Sequence, residues 1–356
     1  MLHDGSVGVA VLGCGRIGSM HADLLARRVA GARLTGVFDV DVDAASAVGV
    51  RLGVSVAATV DELVGADGVD AVAICTSTDT HVEMIVRAAA AGRHVFCEKP
   101  IALDLDRIDA ALHDVERAGV ALHVGFNRRF DPAHRSVRDA IAKGEIGDVH
   151  LLRITSRDPA PPPLAYLATS GGLFLDMSIH DFDMARFVTG SEVVDVTATG
   201  TARDPAIADA GDIDTAAITL IHENGCITTI DNSRRALYGY DQRVEAFGSG
   251  GLVASENAAA RAVVRRDASG AHEPPIADFF LDRYATSFVH QWEDFVGRIA
   301  DRRPPSVTGL DGRAPLVLGL AARRSLDERR TVPVAELDPK GLKPDVGGAD
   351  AQEASR

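Results

Sequence analysis

The feature that most restricts the fold is an apolar strand, a glycine turn and a helix in immediate succession near the start of the chain. Residues 7–12 are a short apolar run that leads directly into Gly13-Cys14-Gly15-Arg16-Ile17-Gly18, followed by a helical stretch to about residue 29. This is G-x-G-x-x-G between a strand and a helix, the arrangement that cradles a dinucleotide pyrophosphate. Gly13 permits the tight turn, Gly15 lets the phosphates approach the backbone, and Gly18 allows close packing of helix on strand. The helix N-terminus, at Arg16 and Ile17, offers N–H donors to the phosphates. A second strand, residues 33–38, ends at Asp39, twenty-one residues after Gly18. A carboxylate at that point suits the adenosine ribose hydroxyls and so favours NAD over NADP.

Strands and helices keep alternating to about residue 124. Residues 70–75 form a buried strand followed by Thr76 and Ser77, whose hydroxyls fall where loops face a ligand in an open parallel sheet. Residues 94–97 form another strand, and it delivers Glu98-Lys99-Pro100. A charged pair at the carboxyl end of a core strand, stopped by proline, points to a site on the cofactor side. Beyond residue 125 the alternation ceases, and long strand-like runs follow at 149–157, 193–202, 213–222, 226–235 and 242–247. The expected fold class is therefore α/β: an N-terminal Rossmann doubly wound parallel sheet over residues 1–125, then an α+β domain over 126–337 with a large, mostly antiparallel sheet. Residues 338–356 read as a flexible tail.

The second half carries its own candidate chemistry. Residues 171–187 open with two glycines, contain no proline and repeat apolar residues at helical spacing, which predicts one largely buried helix. Asp176 and His180 then stand one turn apart on a single face. A carboxylate there holds the imidazole in one tautomer and raises its basicity, making His180 a candidate general base. A structural Asp–His pair gives the same pattern. No further ligands accompany the pair, so a metal site is not expected. His81 is expected to pack or cap.

Composition narrows the class. A net charge of −14 argues against nucleic acid or an anionic membrane as partner. The four cysteines lack zinc-like spacing and read as small buried hydrophobes. The first six residues carry no basic signal-type region and no apolar run reaches membrane-spanning length, so a cytoplasmic protein is expected.

Five blocks now stand in order: 13–18, 98–100, 125–131, 171–183 and 232–243. Together they resemble the glucose–fructose oxidoreductase/inositol dehydrogenase family, over nearly the whole chain to about residue 335. Glu98-Lys99-Pro100 is the family-wide mark. The 158–163 loop, Asp176-Met177-Ser178-Ile179-His180 and Asn232-Ser233-Arg234-Arg235-Ala236 are similar to the inositol branch, with inositol 2-dehydrogenases the nearest likeness. The resemblance implies NAD-dependent oxidation of a cyclic polyol, with myo-inositol giving its 2-keto product, and a place in inositol and carbohydrate catabolism. It implies that Lys99, Asp176 and His180 converge on the reacting carbinol: His180 takes the hydroxyl proton, Asp176 orients it, and Lys99 holds the oxygen. It places Arg128, Asp158 and either Tyr238 or Tyr240 on substrate hydroxyls, Tyr238 being the one carried forward, and Glu98 with Lys99 beside the cofactor. Scyllo- or chiro-inositol, an anhydrosugar or a glycoside are alternative substrates, and a non-catalytic nucleotide sensor is the alternative from another class. A homo-oligomer, dimer or tetramer, is expected from the broad sheet.

Overall fold

The computed structural model describes residues 5–342 apart from 258, 260 and 262. The tail expected over 338–356 lies, from residue 343 onward, outside the described residues. The chain forms two compact units, one of Met1–Asn127 with Phe288–Ala314 and one of Arg128–Ser287 with Pro315–Arg356.

In the first unit six parallel strands stand in the order β3-β2-β1-β4-β5-β6. They are β1 (Val7–Leu12), β2 (Ala32–Phe38), β3 (Ser55–Val56), β4 (Ala71–Ile74), β5 (His94–Cys97) and β6 (Leu122–Val124). Every residue of β1 and β4 is buried, as befits strands covered on both faces. Strand order reverses between β1 and β4, which makes the carboxyl ends of these strands the place for a ligand. The returning segment 288–314 adds Trp292 and Phe295, both fully buried, and Trp292 stacks on Phe96 of β5 with centroids 4.3 Å apart. The expected Rossmann sheet is thus present.

The second unit is built on a seven-stranded sheet: β7 (Val149–Arg157), β8 (Val193–Thr201), β9 (Thr215–His222), β10 (Ile227–Ser233), β11 (Asp241–Gly248), β12 (Gly251–Ser255) and β15 (Val332–Pro333). A small hairpin, β13 (Arg265–Asp267) and β14 (Gly270–His272), stands apart from it. The order is β12-β11-β7-β10-β9-β8-β15, and among the described residues β7 and β10 form the parallel pair while the other neighbours run antiparallel. Burial alternates along these strands. Leu152, Ile154, Val196, Ile218, Leu220, Ile230 and Val244 form a core with Phe182, Ala185 and Val188 of the helix Ser178–Thr189. The opposite positions stay open, with Leu151, Ile227, Phe247 and Leu252 exposed.

One expectation needs correcting. Residues 171–187 do not form a single helix: Gly172–Asp176 and Ser178–Thr189 are separate, interrupted at Met177. At the break the His180 amide bonds to the Met177 carbonyl at 3.3 Å, so Asp176 and His180 belong to different helices.

Candidate active site

In the first unit the glycine turn has the shape its sequence demands. Gly13 has φ +92°, and a Cβ there would meet the Cys75 carbonyl oxygen at 2.6 Å. A Cβ on Gly18 would fall 1.8 Å from the Gly13 oxygen, so helix and turn pack too closely for any side chain. Gly15 differs: a Cβ built there meets nothing within 4 Å. Space is kept over the turn rather than filled by protein. Gly15 caps the helix Arg16–Arg27 without a side-chain bond, which leaves this helix N-terminus facing the open space over the turn, as an anion site requires.

Asp39, at the end of β2, is oriented from the same turn. Its Oδ2 accepts from the Cys14 amide and its Oδ1 from the Asp41 amide at 2.8 Å. Thr76 and Ser77 follow β4; the Thr76 hydroxyl bonds that of Thr80 at 2.7 Å, and Ser77 is exposed. Glu98 and Lys99 follow β5, both half-buried. His81 packs as expected, its Nδ1 2.8 Å from the Pro100 carbonyl and its Nε2 3.1 Å from that of Thr76. Burial pushes its pKa down. Space over Gly15, a helix N-terminus facing it and an oriented carboxylate together fit an NAD pyrophosphate and adenosine ribose.

The second unit gathers its polar groups at strand ends. Because β7 and β10 run parallel with Arg157 opposite Ser233, the next residues, Asp158 and Arg234, leave the sheet side by side. The backbone records this: Asp158 N donates to Ser233 O and Ala236 N to Asp158 O, each at 2.8 Å. β11 starts opposite Arg157, which brings Tyr240 to the same edge. Arg128, almost fully buried, donates to Asp181 Oδ1 at 2.7 Å and reaches the Tyr240 hydroxyl at 3.4 Å and Ser156 Oγ at 3.3 Å. Asn232 Nδ2 donates to the other Asp181 oxygen at 2.8 Å.

Asp176 is held from both sides. The Tyr166 hydroxyl donates to Oδ1 at 2.8 Å, and both terminal nitrogens of Arg234 lie on Oδ2 at 3.3 and 3.4 Å. His180 is half-buried with its Nδ1 inside. Asp158 feels the guanidiniums of Arg128 and Arg234 on one side and the carboxylates of Asp176 and Asp181 on the other. Asp158 bears the consequence: burial pushes its carboxyl up to about 6, against the pull of Arg128 and Arg234 and with Asp176 and Asp181 adding to the rise. Burial also raises Asp181.

Of the two tyrosines weighed from sequence, Tyr238 is half exposed and donates to Asp241 Oδ2 at 2.6 Å while accepting from Arg157 at 2.9 Å. Tyr240 is the buried one, beside Arg128. Sequence reasoning did not single out Tyr166, Asp181 or Arg234. Arg234 and Asp181 lie inside the blocks 232–243 and 171–183, but nothing in those blocks marks them apart from their neighbours.

Comparison with known proteins now decides the lineage. Residues 7–126 match the domain described as "Oxidoreductase family, NAD-binding Rossmann fold", and residues 134–254 match the GFO/IDH/MocA C-terminal domain. The chain belongs to the GFO/IDH/MocA oxidoreductase family. Within that family it is 45% identical over 331 residues to the Myo-inositol 2-dehydrogenase of Thermotoga maritima, covering 92% of this chain and 99% of the relative. It is 46% identical to the Inositol 2-dehydrogenase of Rhizobium meliloti, covering 93% and 100%. Among solved structures, scyllo-inositol dehydrogenase from Lactobacillus casei with bound NAD(H) and scyllo-inositol superposes with a TM-score of 0.86 at 31% identity, covering 93% of this chain and 99% of that one. The family membership that the sequence motifs anticipate is therefore established, and the chain is an oxidoreductase with an NAD-binding Rossmann unit.

Proposed function

We propose that this protein is an NAD-dependent inositol 2-dehydrogenase that oxidises myo-inositol to its 2-keto product. The observation that carries the reading is the polar cluster at the ends of β7, β10 and β11, where Asp158, Asp176, Arg234 and Tyr240 gather on an otherwise apolar core, with His180 four residues on from Asp176. Such a set suits a ligand with hydroxyls in several directions. NAD, when bound, supplies the hydride acceptor.

The chain's own residues handle the proton and the oxygen. With Nδ1 of His180 buried, Nε2 is the nitrogen that takes the hydroxyl proton. A base so placed contributes on the order of 10²–10⁴-fold. Asp176, fixed by Tyr166 and Arg234, presents a negative charge that stabilises the imidazolium. Lys99 supplies the compact cation that favours alkoxide character on the oxygen. Asp158 and Tyr240 receive ring hydroxyls, and Arg128 keeps Asp181 and Tyr240 in place. On the cofactor side, Gly13, Gly15, Arg16, Ile17 and Gly18 hold the pyrophosphate, Asp39 the adenosine ribose, and Thr76, Ser77 and Glu98 the remainder.

Scyllo-inositol is the second reading, favoured by the likeness to the Lactobacillus casei enzyme. Initial rates of NADH formation with myo-, scyllo- and chiro-inositol and with an aldose separate the two. The reading requires the highest kcat/KM on myo-inositol; a larger value on scyllo-inositol selects the second, and no rate with any polyol refutes both. The protein works in the cytoplasm, in inositol catabolism, as a homo-oligomer. The open sheet face with Leu151, Ile227, Phe247 and Leu252 supports a second copy as the covering partner.

A further inference from the structure

His21 lies on the helix Arg16–Arg27, just past the glycine turn, and is fully buried. Three aromatic rings meet its ring edge-on: Phe96, Phe288 and Trp292, with centroids at 5.3, 5.7 and 5.6 Å. Such packing fixes where the imidazole sits and which way it faces. Both ring nitrogens are engaged. Trp292 Nε1 is 2.8 Å from His21 Nδ1, and His21 Nε2 is 2.8 Å from Glu98 Oε1.

The chemistry of the partners fixes the proton. An indole N–H donates and never accepts, so Nδ1 must be the bare, accepting nitrogen. The ring proton is then on Nε2, where it donates to the Glu98 carboxylate. A neutral imidazole with the proton on Nδ1 would lose both bonds at once. Trp292 is the chain's sole tryptophan and arrives on the returning helix Ala285–Ala300, far away in sequence.

Glu98 is confined on another side as well. A Cβ on Gly125 would come within 3.0 Å of the carboxylate, so the glycine leaves just the room the carboxylate needs. With Oε1 taken by His21, Oε2 is the oxygen free to accept an O–H or N–H of a ligand at the carboxyl end of β5.

We propose that His21, locked in its Nε2–H tautomer by Trp292, is a positioning residue that aims Glu98 at the nicotinamide cofactor. The inference rests on the reading above that Glu98 contacts NAD. A group acting through another differs from a structural one in a measurable way, because its effect disappears once its target is removed.

The test is calorimetric titration of the full-length protein with NAD, alongside thermal melts. Glu98→Gln weakens binding and establishes the contact. His21→Leu strips Glu98 of its donor and raises the NAD Kd about tenfold, in line with loss of a hydrogen bond to a charged group. His21→Gln restores most of the affinity, since its amide can donate to Glu98 and accept from Trp292. The double variant His21→Leu/Glu98→Gln binds no more weakly than Glu98→Gln alone. A folded His21→Leu protein with wild-type affinity overturns the proposal, as does a double variant in which the two losses multiply. Should His21→Leu fail to fold, Trp292→Phe keeps an aromatic ring at the stacking position and removes the N–H donor together with part of the indole. Nitrogen-15 spectra of the imidazole then show the Nε2–H form in the wild type and mixed tautomers in the variant; an Nδ1–H wild type overturns the assignment. If Glu98→Gln leaves NAD binding unchanged, Glu98 loses its cofactor role and this proposal falls, while the polyol assay still judges the reaction.

Discussion

Arg234 sets both terminal nitrogens on Asp176 Oδ2, at 3.3 and 3.4 Å, from a position only 1% exposed. A buried guanidinium on one carboxylate, with Asp158 also within its field, is costly to remove because two negative charges lose their compensation. Arg234→Met is expected to lower stability by about 3 kcal/mol, within the range for breaking one half of a buried pair. It should lower kcat at least tenfold, because Asp176 loses a group that orients it. Arg234→Lys should not restore turnover, since a point charge cannot span two bonds. Urea unfolding and steady-state rates check this; wild-type values in the methionine variant contradict it.

Asp158 makes stability depend on pH in an unusual direction. Its carboxyl is pushed up to about 6 in the folded protein, against about 3.9 for an unfolded aspartate. The folded state therefore holds a proton that the unfolded state has lost between those values, so stability falls as pH rises from 4 to 6. A shift of about two pKa values corresponds to about 3 kcal/mol. Asp158→Asn should accordingly be more stable than the wild type above pH 7, with the difference vanishing below pH 4, while its polyol KM rises. Unfolding curves across that range test the sign; a variant less stable at pH 8 contradicts it.

Gly15 and Gly18, three residues apart, should fail in opposite ways. Gly15→Ala places its methyl where no protein atom lies within 4 Å, so its melting temperature should stay near the wild-type value while NAD binding falls steeply. Gly18→Ala drives its methyl to 1.8 Å from the Gly13 oxygen and should destabilise the unit itself. Calorimetric titration with NAD and melting curves separate the two effects. Retained NAD affinity in Gly15→Ala would place the pyrophosphate elsewhere.

Asp39 should impose a preference for NAD. Its carboxylate, held by the Cys14 and Asp41 amides, repels a 2′-phosphate by about 1 kcal/mol at 4 Å in bulk water and about 4 kcal/mol at an effective dielectric of 20. With the lost ribose hydrogen bond, a discrimination of about 2–4 kcal/mol follows, roughly 30- to 1000-fold in kcat/KM. Equal kcat/KM for the two cofactors would remove Asp39 from the ribose.

What could be read from sequence follows the range of the interactions involved. The Rossmann sheet was legible because its central strands, such as Val7–Leu12 and Ala71–Ile74, are local apolar runs closed by their own turns. β12, β15 and the β13–β14 hairpin are short and partly or wholly exposed, so they carry little pattern. The break at Met177 left no mark, since the apolar spacing of residues 171–187 suits one helix and Met177 itself is buried in the core. Asp158, Asp176 and His180 could be named from motifs. Arg234 and Asp181 could not, because their importance arises from the parallel register of β7 on β10 and from the burial of Arg128. Trp292 was equally hidden: nothing near residue 292 announces a return to the first unit.

The central claim is hydride transfer from C2 of myo-inositol to NAD, and isotopic labelling tests it most directly. With myo-inositol deuterated at C2, the account predicts that the reduced cofactor carries the deuterium, seen by mass spectrometry, and that the rate is slowed when chemistry limits turnover. Reduced cofactor formed without the label, or none formed at all, would contradict it.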